Sequence, residues 1–224
     1  MIGVAGLGKS GISAANLLLK NGEEVILFDS NKELDKNAIL DKFDKKYQER
    51  IKIVLGDLNE SDAKDMKYCV ISPGIDLEVD FVKTLKSCNI PIWSEVELGY
   101  KYSKGDLIAI TGTNGKTTTT SLVGEIMSNF KESAFTVGNI GIPYTDIADK
   151  TNENTVTVLE TSSFQLETII DFKPKISAIL NITPDHLNRH HTMENYIRVK
   201  EDIEKNQDEN DFCILNYEDA ALRE

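Results

Sequence analysis

The segment that most constrains this 224-residue chain runs from residue 108 to residue 118 and reads IAITGTNGKTT. Its apolar start predicts a buried strand, and the glycine loop leads into residues 116–127, whose apolar side chains recur at helical spacing. A strand that continues through a glycine loop into a helix is typical of a phosphate-binding loop. The strict pattern has a further glycine where this chain has Ile110, so the loop is a variant form.

This loop predicts a site for a nucleoside triphosphate. The glycines let backbone N–H groups close on phosphate oxygens, Lys116 can reach the β and γ oxygens, and Thr117 can offer its hydroxyl to Mg²⁺. Gly-Lys-Thr also occurs in ordinary surface turns, but the strand before it and the helix after it favour the phosphate site. The predicted nucleotide-binding residues are Gly112, Thr113, Asn114, Gly115, Lys116, Thr117 and Thr118.

The charge of the chain limits its partners. Its formal net charge is −12 at pH 7, which disfavours binding to nucleic acid or to an anionic membrane surface. An acidic protein that holds a polyphosphate needs local hydrogen-bond donors and divalent cations. The acidic composition therefore favours a phosphate site that includes Mg²⁺.

The cysteines and the hydropathy predict a cytoplasmic protein. Cys69, Cys88 and Cys213 are scattered and odd in number, and their apolar surroundings predict buried thiols in a reducing compartment. No stretch approaches the roughly 20 apolar residues that a membrane span requires. A strand follows Met1 within a few residues, where a secretory leader would have a basic and then an apolar segment.

Strands alternate with helices along the whole chain, which predicts two α/β domains with parallel sheets. We expect a Rossmann-like domain over residues 1–93 and a P-loop type α/β ATPase domain, incomplete, over residues 94–224. The predicted strands are 2–5, 24–28, 51–55, 68–72 and 90–95 in the first domain, and 107–111, 134–137, 155–159, 176–181 and 212–216 in the second.

The first domain opens with a glycine fingerprint. Residues 6–11 (GLGKSG) match G-x-G-x-x-G between a strand and a helix, and Asp29 ends the next strand, where a ribose-binding acid belongs. Taken alone, this pattern predicts NAD. Glycine-lined N–H groups at a helix start accept any nucleotide diphosphate, however, so other nucleotides stay open. Ser72 and Gly74 follow another strand of the same sheet and can add donors beside the diphosphate, or form a plain turn.

Polar side chains follow three predicted strands of the second domain. Asn139 lies in a glycine-flanked turn, Glu160 ends a strand, and Asp185 and His186 follow the next one. Because carboxyl ends of parallel strands meet at one edge of a sheet, Glu160 is a candidate Mg²⁺ ligand and His186 a candidate metal or phosphate ligand. A turn asparagine and a solvated glutamate are the plainer alternatives.

The remaining basic candidates have simpler interpretations. His190 and His191 look like an exposed pair, and Lys200, on a helix predicted over 195–201, is most simply a solvated lysine. The residues themselves give no reason to assign these three a function.

Together, the motifs of the second domain resemble the Mur ligase family in their order and spacing. They are GTNGKTT at 112–118, GNIG at 138–141, ETSSFQLE at 160–167 and LNITPDHL at 180–187. Within the family, GLGKSG, SPG at 72–74 and SEVEL at 94–98 are similar to the members that add D-glutamate to a peptidoglycan precursor. The resemblance runs over essentially the whole chain.

This resemblance implies an ATP-dependent ligase that joins D-glutamate to UDP-N-acetylmuramoyl-L-alanine through an acyl phosphate, with two Mg²⁺ ions. It implies that Lys116 contacts the β and γ phosphates, that Thr117 and Glu160 hold one Mg²⁺, and that His186 faces the second. The Lys200 amine would be carbamylated and would serve that second metal. The residues implied near the UDP sugar are Gly8, Lys9, Ser10, Asp29, Ser30, Ser72 and Gly74, with Asn139 contacting phosphate or substrate.

The chain also departs from the family pattern. It has Thr161 where relatives often have leucine and Asn188 where they often have aspartate, and neither change removes a proposed ligand. Family members continue into a third domain, so we expect this chain alone, a monomer, to bind the UDP sugar without ligating it. Three alternatives stay open: another Mur-type or folylpolyglutamate ligase, a NAD-binding oxidoreductase or sensor, and a non-catalytic nucleotide-binding module.

Overall fold

A computed structural model describes residues 1–223, which form two compact units divided between Leu98 and Gly99. Each unit is built on a five-stranded sheet, and every strand pair in both sheets is parallel. The prediction of parallel α/β architecture is confirmed.

The first unit has the strand order β3-β2-β1-β4-β5. This order reverses direction beside β1, and ligands of such sheets bind at the carboxyl ends of the strands next to the reversal. The strands are β1 (Ile2–Ala5), β2 (Val25–Asp29), β3 (Ile51–Leu55), β4 (Cys69–Ile71) and β5 (Ile92–Ser94). The helices are α1 (Lys9–Lys20), α2 (Lys36–Leu40), α3 (Glu60–Lys64), α4 (Asp80–Ser87) and α5 (Glu95–Tyr102), the last of which contains the point of division.

Helix α1 packs against strands β1, β2 and β4 in the middle of this sheet through small and apolar residues. Leu17, Leu18 and Leu19 are all buried, and β1 is buried along its whole length. The carboxyl end of α1 is tied down by Arg50, whose guanidinium donates to the carbonyl oxygens of Leu19 (2.7 Å) and Glu23 (3.3 Å). A cation at this position interacts favourably with the negative, carboxyl end of the helix dipole.

The second unit has the order β10-β9-β6-β8-β7, with the strand before the glycine loop at its centre. Its strands are β6 (Asp106–Thr111), β7 (Ala134–Gly138), β8 (Val156–Glu160), β9 (Ile176–Ile179) and β10 (Phe212–Leu215). Its helices are α6 (Lys116–Phe130), α7 (Ser163–Leu166), α8 (Leu187–His190) and α9 (Met193–Glu201). The loops after β6, β7, β8 and β9 therefore leave the same edge of the sheet.

The cysteines do not all have the predicted burial. Cys69 is buried in β4, and this burial raises the pKa of its thiol to about 12. Cys88 is half-buried and Cys213 is exposed, so the prediction of three buried thiols is wrong. Cys213 lies in β10, the edge strand whose four side chains are all exposed.

Over residues 1–223, none of the helices combines the length and the apolar character that crossing a bilayer requires.

We expect Gly11→Ala to destabilise the first unit strongly. An added Cβ at Gly11 would lie 1.8 Å from the carbonyl oxygen of Gly6, so α1 would have to move away from the β1 loop. Overpacking against backbone costs roughly 3 kcal/mol. Chemical denaturation followed by the fluorescence of Trp93, which stacks on Tyr68 in this unit, measures the loss.

Gly8→Ala is the matched control. An added Cβ at Gly8 meets no atom within 4 Å, and the φ angle of −75° suits alanine. The control should stay within about 1 kcal/mol of the wild type, because alanine is only a poorer N-cap than glycine. Equal stability of the two variants would contradict the packing argument.

Candidate functional site

The glycine loop joins β6 to the 15-residue helix α6. Gly112 has a φ of 150° and Gly115 has a φ of 80°, which are conformations that favour glycine. Gly115 is the N-cap, so the loop ends where the unpaired N–H groups and the positive end of the helix dipole lie. This geometry suits a bound phosphate.

A partner loop after β9 holds the glycine loop in shape. Asn181 accepts from the amide of Thr113 through its carbonyl (2.9 Å) and from the amide of Asn114 through its side chain (2.8 Å). It also donates to the carbonyl of Asn114 (3.0 Å). No role was predicted for Asn181, because it was included at the end of the strand predicted over 176–181, whereas β9 ends at Ile179.

The structure brings Thr117, Glu160 and Asn139 together at this edge. The Glu160 carboxylate accepts from the Thr117 hydroxyl (2.9 Å) with one oxygen and from the Asn139 amide (2.9 Å) with the other. The residue is only 1% exposed. A buried carboxylate held by a hydroxyl and an amide is thus placed beside the start of α6.

Lys116 and Lys200 converge on one carbonyl oxygen of the loop. The Lys116 ammonium lies 3.0 Å and the Lys200 ammonium 2.9 Å from the oxygen of Gly112. Lys116 also donates to the carbonyl of Thr113 (2.9 Å). The ammonium groups of Lys116 and Lys200 therefore lie close together.

The simpler interpretation of Lys200 as a solvated lysine is wrong. Its side chain lies in the interior with 1% exposure, over the ring of Tyr196 and 3.4 Å from the hydroxyl of Thr111. Burial, followed by the charge of Lys116, lowers the pKa of Lys200 to about 7, against a weaker opposing effect of Asp185. A lysine with its pKa lowered in this way loses its proton more readily than an exposed lysine does.

The histidines differ from the expectation in one respect. His190, predicted to be exposed, is buried, and its Nε2 lies 2.9 Å from the hydroxyl of Ser163. Burial lowers the pKa of His190 to about 4, with the charge of Arg189 as the next cause. His186 is half-exposed before α8, with Asp185 and Phe164 as neighbours. Its place near the second metal stays a prediction.

The donor set at this edge fits Mg²⁺ together with phosphate. Among residues 1–223, no group of three histidine, cysteine or acidic side chains forms a complete metal site. Mg²⁺ is usually held by one or two carboxylates, with phosphate oxygens and water completing the octahedron. Glu160 and the Thr117 hydroxyl supply such a partial set next to the phosphate loop.

The first unit carries its own candidate site at the carboxyl ends of its strands. The N–H of Leu7 donates to the Asp29 carboxylate (3.2 Å), and the Ser72 hydroxyl donates to the carbonyl of Gly6 (3.1 Å). Gly8 is open to solvent at the start of α1, with Lys9 and Ser10 next to it on the helix. The glycine fingerprint, the Asp29 carboxylate and the Ser72 hydroxyl therefore do come together.

A cleft of about 550 Å³ lies at the same end of the first unit's sheet. Its walls include Ser30 after β2, Gly74 after β4, and the rings of Phe28 and Phe81, which pack 4.7 Å apart. Apolar walls with a few polar groups are typical of a small-molecule site.

The same two segments carry family matches. Residues 110–224 match the Mur ligase middle domain, and residues 1–94 match the Mur ligase MurD-like, N-terminal domain. The chain belongs to the Mur ligase family. This membership confirms the resemblance that the motifs predicted.

Related Mur ligases extend beyond this chain. A UDP-N-acetylmuramoylalanine--D-glutamate ligase of Lachnoclostridium phytofermentans is 56% identical over 220 residues, which are 98% of this chain and 48% of that protein. The chain thus spans about half the length of the curated relatives it matches.

Solved structures share the fold of this Mur ligase chain. The UDP-N-acetylmuramate:L-alanyl-gamma-D-glutamyl-meso-diaminopimelate ligase from Neisseria meningitides matches with a TM-score of 0.61 and 15% identity, over 99% of this chain and 72% of that chain. A MurF ligase from Thermotoga maritima in complex with ADP has a TM-score of 0.50 and 20% identity, over 92% of this chain and 46% of that chain. At these identities the likeness concerns the fold alone.

Proposed function

We propose that this chain is part of an ATP-dependent ligase that joins D-glutamate to UDP-N-acetylmuramoyl-L-alanine in peptidoglycan synthesis. The observation that carries the proposal is the group of Thr117, Glu160 and Asn139 at the start of α6, on a sheet edge that also carries a phosphate loop. The name of the 56% identical relative supplies the substrate pair. The ADP bound to the MurF ligase supports ATP as the energy source.

The reaction has two steps. The γ-phosphoryl group of ATP passes to the alanyl carboxylate, which gives an acyl phosphate and ADP. The amine of D-glutamate then attacks the acyl carbon, forming the amide, releasing phosphate and losing a proton. Catalysis of such steps depends chiefly on positioning and on neutralising charge.

The residues of the second unit have separate roles in this proposed reaction. Lys116 leaves the loop carbonyls to contact the β and γ phosphates, and residues 112–118 wrap the phosphate chain with their N–H groups. Thr117 and Glu160 would hold one Mg²⁺, and Asn139 would contact phosphate or substrate. Bound Mg²⁺ would supply positive charge that offsets the negative charge of the phosphates.

Lys200 and His186 serve a second Mg²⁺. The neutral amine of Lys200 attacks CO₂ to give a carbamate and one proton, and the new carboxylate is an oxygen ligand. The low pKa of this amine supports that chemistry at neutral pH. His186 contributes its imidazole from the loop after β9.

The first unit holds the UDP moiety. Gly8, Lys9, Ser10, Asp29, Ser30 and Gly74 contact the uridine and the diphosphate, and Ser72 adds a hydroxyl beside the diphosphate. The NAD alternative loses support because the glycine fingerprint lies within the matched Mur ligase segment. We further propose that the enzyme acts as a monomer in the cytoplasm, where free thiols such as Cys69 stay reduced.

Calorimetric titration tests the proposal. The chain is titrated with UDP-N-acetylmuramoyl-L-alanine, with NADH and MgATP as parallel ligands. Saturable binding of the UDP sugar and of MgATP, without a response to NADH, supports the assignment. Binding of NADH without a response to the UDP sugar would overturn it for the first unit.

We expect Glu160→Gln to weaken the binding of the Mg²⁺ ion that supports nucleotide binding. The variant keeps the shape of the side chain and loses its charge, so Mg²⁺ loses its protein carboxylate. The concentration of Mg²⁺ needed for half-maximal ATP binding should rise about tenfold. Glu125→Gln, on the exposed side of α6, serves as the control and should leave the Mg²⁺ titration unchanged.

A further inference from the structure

Helix α8 is held between two backbone conformations that non-glycine residues rarely adopt. His186, its N-cap, has a φ of 52°, and His191, directly after it, has a φ of 66°. Left-handed histidines persist only where the surrounding structure holds them in place. The orientation of this four-residue helix, and of the His186 side chain at its start, therefore depends on contacts made from outside α8.

The carboxylate of Glu167, next to the end of α7, supplies such contacts. It accepts from the guanidinium of Arg189 through both Nε (3.3 Å) and Nη2, and its Oε1 lies 3.4 Å from Nδ1 of His190. The side chains of Glu167 and Arg189 are each 10% exposed. A paired charge at this depth is fixed in geometry, because breaking it would leave one charge uncompensated.

Three further contacts join α7 to α8 and to its N-cap. The Nε2 of His190 lies 2.9 Å from the hydroxyl of Ser163 in α7. The ring of Phe164 lies beneath the Arg189 guanidinium, 4.1 Å from its carbon, and 4.8 Å from the imidazole of His186. The contacts from Glu167, Ser163 and Phe164 to α8 form a cluster that we call the α7–α8 clamp.

The α7–α8 clamp joins the two elements that follow the proposed metal ligands. Helix α7 follows β8, which ends at Glu160, and α8 follows His186. The clamp thus fixes the element that carries one proposed metal ligand against the element that carries the other. His190 extends it toward α9, the helix of Lys200, through the Asn195 amide, which donates to its carbonyl (3.2 Å).

We propose that Glu167 is a positioning residue: its carboxylate fixes α8 and thereby orients the imidazole of His186 for the second metal ion. The proposal rests on the proposed function, which supplies that metal. Glu167 contacts Arg189 and His190 of α8, so its effect on His186 is transmitted through these two residues.

The first test uses the metal-free chain. Hydrogen exchange is measured at the amides of residues 189–191, which hydrogen-bond to the carbonyls of His186 and Leu187. Glu167→Gln should raise their exchange rates about tenfold or more and leave strands β1–β5 unchanged. Arg189→Lys, which keeps the charge and loses the two-point contact, is the milder second variant. Glu201→Gln, an exposed carboxylate of α9, is the matched control.

The second test counts metal ions. Free Mn²⁺ is measured by electron paramagnetic resonance in the presence of a non-hydrolysable ATP analogue. The wild type should bind two Mn²⁺ per nucleotide, and Glu167→Gln should weaken the second about tenfold, as is typical when a residue supporting a metal ligand is lost. His186→Ala should have the same effect on the second ion, while the first ion and the nucleotide bind normally.

The two tests separate the possible failures. A wild type that binds no Mn²⁺ with the nucleotide would overturn the proposed function and the metal-orienting role with it. Unchanged exchange in both the Glu167 and Arg189 variants would show that the clamp does not hold α8. Faster exchange with an unchanged second Mn²⁺ would overturn the positioning role while leaving the ligase assignment intact.

Discussion

Lys116→Met is expected to reduce the affinity of the chain for MgATP by roughly ten- to a hundredfold. Methionine keeps the apolar length of the side chain and removes the ammonium group that is proposed to contact the β and γ phosphates. A hydrogen bond to a charged group contributes about 1.5–3 kcal/mol, which corresponds to that range of affinity. Isothermal titration with MgATP at fixed ionic strength measures the change.

Lys131→Met is the matched control for this experiment. Lys131 lies just beyond the far end of α6 and is exposed, so its loss changes net charge equally without touching the loop. MgATP affinity within about twofold of the wild type is expected for it. Equal losses in both variants would mean that Lys116 acts only through the overall field, which would contradict its assigned contact.

The Lys116 variant has a second expected effect. Burial is the main cause of the lowered pKa of Lys200, and the charge of Lys116 is the next, since both ammonium groups contact the carbonyl oxygen of Gly112. Removing the Lys116 charge should raise the pKa of Lys200 toward its ordinary value. The two lysines are therefore coupled, and an anion that draws Lys116 away from the loop carbonyls would have the same direction of effect.

The features that could be predicted from the sequence are those encoded locally or by parallel topology. The glycine loop was predictable because apolar residues before and after it have the periods of a strand and a helix. The meeting of Thr117 and Glu160 followed from a rule of topology, since the carboxyl ends of parallel strands share an edge. Their hydrogen bond, 43 residues apart in sequence, bears this out.

Burial of single polar residues was less predictable. Lys200 and His190 lie in polar stretches, and nothing adjacent in sequence shows that distant segments cover them. The carbonyl that accepts from the Lys200 ammonium is 88 residues away, and the hydroxyl that contacts the His190 ring is 27 residues away in α7. The family resemblance, rather than the local pattern, gave Lys200 a role.

Strand β10 shows that an apolar run in the sequence can be exposed in the structure. The apolar run that contains Cys213 predicted a buried strand, and β10 is indeed a strand with the predicted parallel direction. Its four side chains are nevertheless exposed, whereas most of those of β7, at the other edge of the same sheet, are at least partly buried. The burial of a strand depends on which distant segments cover its faces, so local hydropathy could not reveal it.

The stability of the second unit is expected to rise between about pH 7 and pH 10.5 because of Lys200. Its pKa falls from the ordinary value of 10.5 to about 7 in the folded chain. Between those values the unfolded chain binds a proton that the folded chain does not, so the free energy of unfolding rises by up to about 1.4 kcal/mol per pH unit. Below the folded pKa both states hold the proton, and above 10.5 neither does, so the slope disappears at both ends.

Lys200→Met isolates this contribution. Urea unfolding of the wild type and the variant is followed by circular dichroism from pH 7.5 to 9.5 in CO₂-free buffer, with Trp93 fluorescence as the reference for the first unit. The wild type should gain about 3 kcal/mol relative to the variant over this range, and Lys131→Met should keep the wild-type slope. Parallel curves would mean that the Lys200 amine stays protonated when buried. It would then be a poor nucleophile toward CO₂, and the proposed carbamate would lose its chemical basis.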